Sequence, residues 1–174
     1  MLYILYSLNT LLMVGVPIAL GVWLTRRFKL GWGLWWVGAA TFIAAQVIHL
    51  PFLWGLTAAF KANLLPAPPA EWKLLFNAVV LGLAAGLFEE IARYLALRFW
   101  IKSARSGQEA LLFGAGHGGI EAIILGVLAG VTTVQLFVLR GADLTTLNLT
   151  AEQLAALQQQ LAAVWSAPWY ATLL

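Results

Sequence analysis

Two stretches of otherwise apolar sequence carry side chains able to do acid–base or metal chemistry. LFEEIARYLALRF (87–99) contains Glu89, Glu90 and Arg93, and GAGHGGIEAIILG (114–126) contains His117 and Glu121. On a helix Arg93 lies four residues after Glu89 and three after Glu90, so the three share one face; His117 and Glu121, four apart, share another. A carboxylate can take a proton from water, an imidazole can orient that water or bind a metal, and an arginine can fix a carboxylate in place. Three carboxylates set against one arginine and one histidine leave at least one acid without a fixed partner. Such a group is protonated, or it holds water or a cation. A third stretch, QVIHLP (46–51), puts Gln46 and His49 three apart on one face, with Pro51 removing a hydrogen bond one turn earlier. His49 reads equally as a packed imidazole or as a further member of the site.

The elements that must position these groups are set by composition. The 174 residues are 62% hydrophobic and only 10% charged, against about a quarter charged in soluble chains. Most of the chain therefore belongs inside a bilayer, as a single transmembrane domain over 1–174. Trp23, Trp32, Trp54, Trp72 and Trp100 fall near the ends of apolar stretches, where indoles anchor at headgroup level. The formal net charge of +3 comes from basic residues scattered between those stretches. They read as topology signals and not as a nucleic-acid surface; membrane lipids are the expected surroundings. The absence of cysteine removes disulfides, thiolate nucleophiles and Cys-ligated metals. The N-terminal MLYILYSLNTLL lacks a basic leader region and reads as the first span itself, not as a cleaved signal.

The pattern predicts an all-α, polytopic transmembrane bundle. Its four spans run from Leu2 to Leu24, Leu34 to Phe60, Leu74 to Ile101 and Leu111 to Leu139. TRRFK (25–29) and the segment from Arg98 to Arg105 are the most basic connections. The positive-inside rule then puts the first and third loops in the cytoplasm and the N-terminus outside; the membrane is expected to be a bacterial plasma membrane. Thr150 and Gln153 form a capping box for an amphipathic helix over AEQLAALQQQLAAVW, expected to lie on the outer surface. The terminal SAPWYATLL begins another apolar run, as though a further span were incomplete.

Depth makes the polar groups expensive. Glu89 lies roughly 18 Å from the cytoplasmic end of its span and Arg93 about 12 Å, at ~1.5 Å per residue. His117 and Glu121 lie about 9 and 15 Å from theirs, so antiparallel neighbours would bring the four to overlapping depth. A charge near the bilayer centre costs about 2.5–3.5 kcal/mol on insertion scales, and an intramembrane ionisable cluster is read as functional. Gly82 and Gly86 form a GxxxG before the glutamates. Gly114, Gly118, Ala122, Gly126 and Gly130 form a ridge of small residues at spacing four. Such ridges let helices approach closely in lipid. The third and fourth spans are expected to meet along them, with the polar groups turned to the partner helix.

FEEIAR (88–93), GHGGIEAIILG (116–126) and QVIHLP (46–51) together resemble the YhfC-type membrane peptidases. These are distant relatives of the CAAX prenyl endopeptidase and bacteriocin-processing superfamily. The resemblance covers the second to fourth helices. It implies a glutamate-dependent intramembrane endopeptidase acting on a membrane-embedded or membrane-adjacent peptide or protein, with no cofactor. Glu89 would be the general base, His117 would orient water or stabilise the tetrahedral intermediate, and Glu90 with Arg93 would hold the geometry, Glu121 completing the set. The wider superfamily places its arginine one residue later and continues into helices bearing another histidine. A zinc-dependent protease could use Glu89, His117 and Glu121 as ligands, although HExxH is absent. A proton-coupled carrier using the carboxylates as relays, or a non-catalytic membrane scaffold, are the readings outside enzymology.

Overall fold

A computed structural model describes residues 2–168. Among them there are helices and no strands: α1 (Leu2–Phe28), α2 (Gly33–Lys61), α3 (Lys73–Leu95), α4 (Gly107–Gly141) and α5 (Ala151–Ser166). Four helical stretches, Leu2–Phe28, Gly33–Lys61, Ala70–Trp100 and Gly107–Gly141, are long and apolar enough to cross a membrane. A 3₁₀ turn (Ala70–Trp72) leads into α3 and a π-helical turn (Ala96–Trp100) continues it. Most of the expected apolar run at the C-terminus falls on 169–174 and lies outside the described residues.

The helices begin and end for identifiable reasons. α1 runs past Leu24 because Arg26 and Arg27 sit in its last turn, where cations favour the carbonyl end of the helix dipole. It stops where Lys29 turns left-handed (φ 54°) and the Leu30 N–H donates to the Thr25 carbonyl at 3.1 Å. α2 ends the same way. Asn63 adopts φ 56°, its N–H reaches the Phe60 carbonyl at 3.1 Å, and the Leu64 N–H reaches the Ala59 carbonyl at 3.0 Å. That pairing closes orphan carbonyls, and asparagine tolerates the left-handed conformation. α4 starts four residues before the expected span because Ser106 and Glu109 cap it reciprocally. The Ser106 N–H donates to Glu109 Oε2 at 2.9 Å and the Glu109 N–H to Ser106 Oγ at 3.2 Å. The expected Thr150–Gln153 capping box opens α5.

The chain divides into two compact units, Leu20–Glu121 and Met1–Ala19 with Ala122–Leu174. In the first, Leu24, Trp35, Ala39, Phe42, Ala45, Leu112 and Phe113 are buried. The Thr25 and Thr41 hydroxyls stay inside by donating to carbonyls of their own helices, Gly21 at 2.9 Å and Val37 at 2.7 Å. In the second, Gly126 packs on Met13 and Gly130 on Thr10, and Leu161 of α5 is buried.

The glycine ridge is corrected by the structure. Gly82 and Gly86 on α3, and Gly114 and Gly118 on α4, have nothing within 4 Å of the position a Cβ would take. The close approach is instead between α2 and α4. A Cβ on Gly38 would strike the Phe113 carbonyl oxygen, and one on Gly116 would strike the Trp35 carbonyl oxygen. Small residues do let backbones approach in lipid. Backbone meets backbone at one glycine from each of two different helices, outside the repeats at spacing four, while Gly126 and Gly130 of the ridge pack on Met13 and Thr10 of α1.

Candidate functional site

The α2–α4 approach is what buries His117. With Gly38 and Gly116 admitting backbone against backbone, His117 is left 2% exposed, and the Phe42 ring stands edge-on to its imidazole at 5.5 Å. From there His117 Nε2 reaches α3, where Glu89 Oε2 lies 3.5 Å away. The Glu89 side chain is 18% exposed and the His117 side chain 3%. His117 Nδ1 is buried without a hydrogen-bond partner among the described residues. Residues 28 apart in sequence thus meet inside an apolar surround.

The other expected members divide. Arg93 Nη2 binds Glu90 Oε1 at 2.7 Å, one helical turn along α3. That pair faces outward: the Glu90 side chain is 72% exposed and the Arg93 side chain 33%. Glu90 is therefore not turned to the partner helix as the sequence suggested; consecutive residues on a helix point about 100° apart. Glu121 is half-buried on α4 and makes no hydrogen bond or ion pair among the described residues. It is the acid left over when three carboxylates meet one arginine and one histidine.

His49 on α2 is also buried, at 7% exposure. Its Nδ1 lies 3.2 Å from Gln46 Oε1, so the predicted partnership forms, and its ring packs on Phe88 at 5.4 Å. The amide oxygen accepts from Nδ1, and Nε2 is buried without a hydrogen-bond partner among the described residues. Phe88 immediately precedes Glu89, so His49 stands against the residue next to the carboxylate. Sequence reasoning missed Phe42, Gly38 and Gly116. Only the glycines could have been suspected, Gly116 from standing beside His117 in the glycine-rich GAGHGG.

A metal can be tested against these donors. Carboxylate oxygen and imidazole nitrogen are both zinc ligands, and two ligands at about 2.0–2.1 Å around a tetrahedral ion stand about 3.3 Å apart. The 3.5 Å between Glu89 and His117 agrees with that spacing. A catalytic zinc takes three protein ligands, however, and no group of three His, Cys, Asp or Glu is gathered among the described residues. The expected triplet of Glu89, His117 and Glu121 is therefore not assembled here; the pair fits in kind and spacing but not in number.

Beside the site, α2 and α3 enclose an apolar groove of about 420 Å³. Thr41, Ala45, Phe88, Ile91 and Ala92 line it, and the π-helical turn closes one end with Trp100.

The sequence model of a family described as YhfC intramembrane metalloprotease matches residues 12–174. The uncharacterized membrane protein YhfC of Bacillus subtilis is 33% identical over 125 residues, 68% of this chain. The match spans 45% of the length of that relative. No solved structure matches the chain.

Proposed function

The chain belongs to the YhfC intramembrane metalloprotease family, and on that premise we propose that it carries the carboxylate–imidazole core of a peptide-hydrolysing site in the membrane. The observation that carries the reading is the meeting of half-buried Glu89 with buried His117 across α3 and α4. The family's description favours the metal-dependent form over the metal-free glutamate mechanism suggested by the residues. Glu89 and His117 would hold the metal, which when bound supplies Lewis acidity towards water and the scissile carbonyl. Further donors must join the pair to reach a full ligand set.

The chain's own groups have separable tasks. In the metal-free form, Glu89 accepts a proton from water, and the His117 imidazole, packed against Phe42, fixes the carboxylate's orientation. Glu90 and Arg93 neutralise one another on the outer face of α3. A membrane-embedded peptide lies in the groove between α2 and α3, where Phe88 links the groove wall to Glu89.

The test uses full-length protein reconstituted with transmembrane peptides, cleavage being read by mass spectrometry. Glu89→Gln and His117→Ala should each lower cleavage by about 10²–10⁴-fold, the usual contribution of a positioned proton acceptor, with helicity and detergent stability kept. Bound zinc, measured by elemental analysis, should fall in both variants. Cleavage that survives complete metal removal would leave the metal-free mechanism standing. Unchanged cleavage in Glu89→Gln would remove both.

A further inference from the structure

The unit made of Met1–Ala19 and Ala122–Leu174 contains a second polar constellation, unrelated to the Glu89–His117 pair. Arg140, in the last turn of α4, donates from Nη1 to the Tyr3 hydroxyl at 2.8 Å. Its guanidinium carbon stands 5.1 Å from the Tyr3 ring centre and 4.4 Å from that of Trp165, in the last turn of α5. Phe137 completes the cluster at 4.4 Å from Tyr3 and 6.1 Å from Trp165. Aromatic faces stabilise a cation and fix its plane. The guanidinium is held in place, yet only one of its five N–H donors finds an acceptor among the described residues.

No carboxylate answers this charge among the described residues. The ion pairs there are Arg93 with Glu90 and His117 with Glu89. Asp143, three residues on, is occupied by Thr145. The Trp165 indole N–H is also buried without an acceptor. Among the described residues donors outnumber acceptors here, at a point where α1 starts and α4 ends. Both are ends of apolar spans, the level at which lipid phosphates lie and Trp, Tyr and Arg anchor.

An apolar groove leads away from the same point. Phe137 lines a hollow of about 580 Å³ between α1 and α4, shared with Leu11, Val131 and Val134. Tyr3 lines an adjoining hollow of about 380 Å³, and Ser7 and Leu11 border both. An unpaired cation at the head of an apolar groove is complementary to one kind of molecule, an amphiphile with an anionic head. We propose that Arg140, Tyr3 and Trp165 bind the phosphate of an anionic phospholipid, with its acyl chain lying in the groove along Leu11, Val134 and Phe137.

The proposal is independent of the hydrolase reading and needs no substrate to test. Native mass spectrometry of the full chain in mild detergent would compare phosphatidylglycerol with phosphatidylcholine, with inorganic phosphate as competitor. The wild-type chain should retain one phosphatidylglycerol at least tenfold in preference to phosphatidylcholine. Arg140→Gln should abolish the preference, Arg140→Lys should keep part of it, and Val134→Trp should lower retention by filling the groove. Equal retention of both lipids would overturn the proposal. So would unchanged preference in Arg140→Gln, displacement of the lipid by an equal concentration of inorganic phosphate, or a lipid-free mass of two chains. Should Arg140→Gln fail to fold, the wild-type preference and Val134→Trp decide the matter.

Discussion

Glu89 and Glu90 are adjacent in sequence, yet the rotation of about 100° per residue along a helix sends them to different surroundings. Glu90 turns outward and takes Arg93 at 2.7 Å, while Glu89 turns inward to His117. The sequence shows that both can pair with Arg93, because positions three and four apart are both neighbours on a helix. It does not show which one another helix will cover. The same limit applies to His49, whose Gln46 partner is local and legible, and whose packing on Phe88 is not. Outside the spans, Asp143 gives a prediction at this scale. The hydroxyl and the backbone N–H of Thr145 both donate to its carboxylate, holding its pKa below the ordinary aspartate value of 3.8. A depressed folded-state pKa contributes stability that is present above the ordinary value and lost as pH falls through the folded one. The Thr145 amide resonance should therefore shift in acid with a midpoint below 3.8, and Asp143→Asn should remove that inflection. A midpoint above it would contradict the hydrogen bonding.

At the scale of elements, span positions follow from apolar length, and the ends follow from caps. Thr150–Gln153 was legible as a capping box; Ser106–Glu109 has the same pattern and sets the start of α4. The π-helical turn at Ala96–Trp100 has no such signature, since its hydrogen bonds shift by one residue without a proline or glycine to mark the place. Helix contacts carry the sharper test. At Gly116 the obstacle to a Cβ is the Trp35 carbonyl, and at Gly38 it is the Phe113 carbonyl. Backbone cannot move aside as a flexible side chain can. Gly116→Ala and Gly38→Ala should each cost about 3 kcal/mol, the upper part of the usual overpacking range. Gly114→Ala and Gly118→Ala, open within 4 Å, should be neutral or slightly stabilising, because alanine is the better helix former. Unfolding measured in mixed detergent micelles separates the two sets. Equal costs would return the close approach to the repeat at spacing four.

At the scale of the whole molecule, solvent explains what would be anomalous in water. Leu74, Leu83, Trp54 and Ile4 are each at least 70% exposed, which lipid tolerates and water does not. The basic first and third loops predict an orientation with the N-terminus outside, which labelling can test. The chain has no cysteine, so single-cysteine labelling can check it without background. In intact cells Ala67→Cys, in the second loop, should react with a membrane-impermeant maleimide. Ser103→Cys, in the third loop, should react only after permeabilisation. The reverse pattern would invert the topology and put Arg140 on the cytoplasmic side.

By itself the sequence determined the solvent, the four apolar helices, the capping of α5 and the residue types able to do chemistry. Each of these follows from hydrophobic length or from contacts within one helical turn. Only the tertiary structure decided that Glu89 and not Glu90 meets His117, that Gly38 and Gly116 bring backbone against backbone, and that Arg140 stands over rings from α1 and α5. Those pairings join residues far apart in the chain. In lipid, where apolar surface is satisfied on every side, side-chain shape and hydrogen bonding select them, and periodicity does not record either.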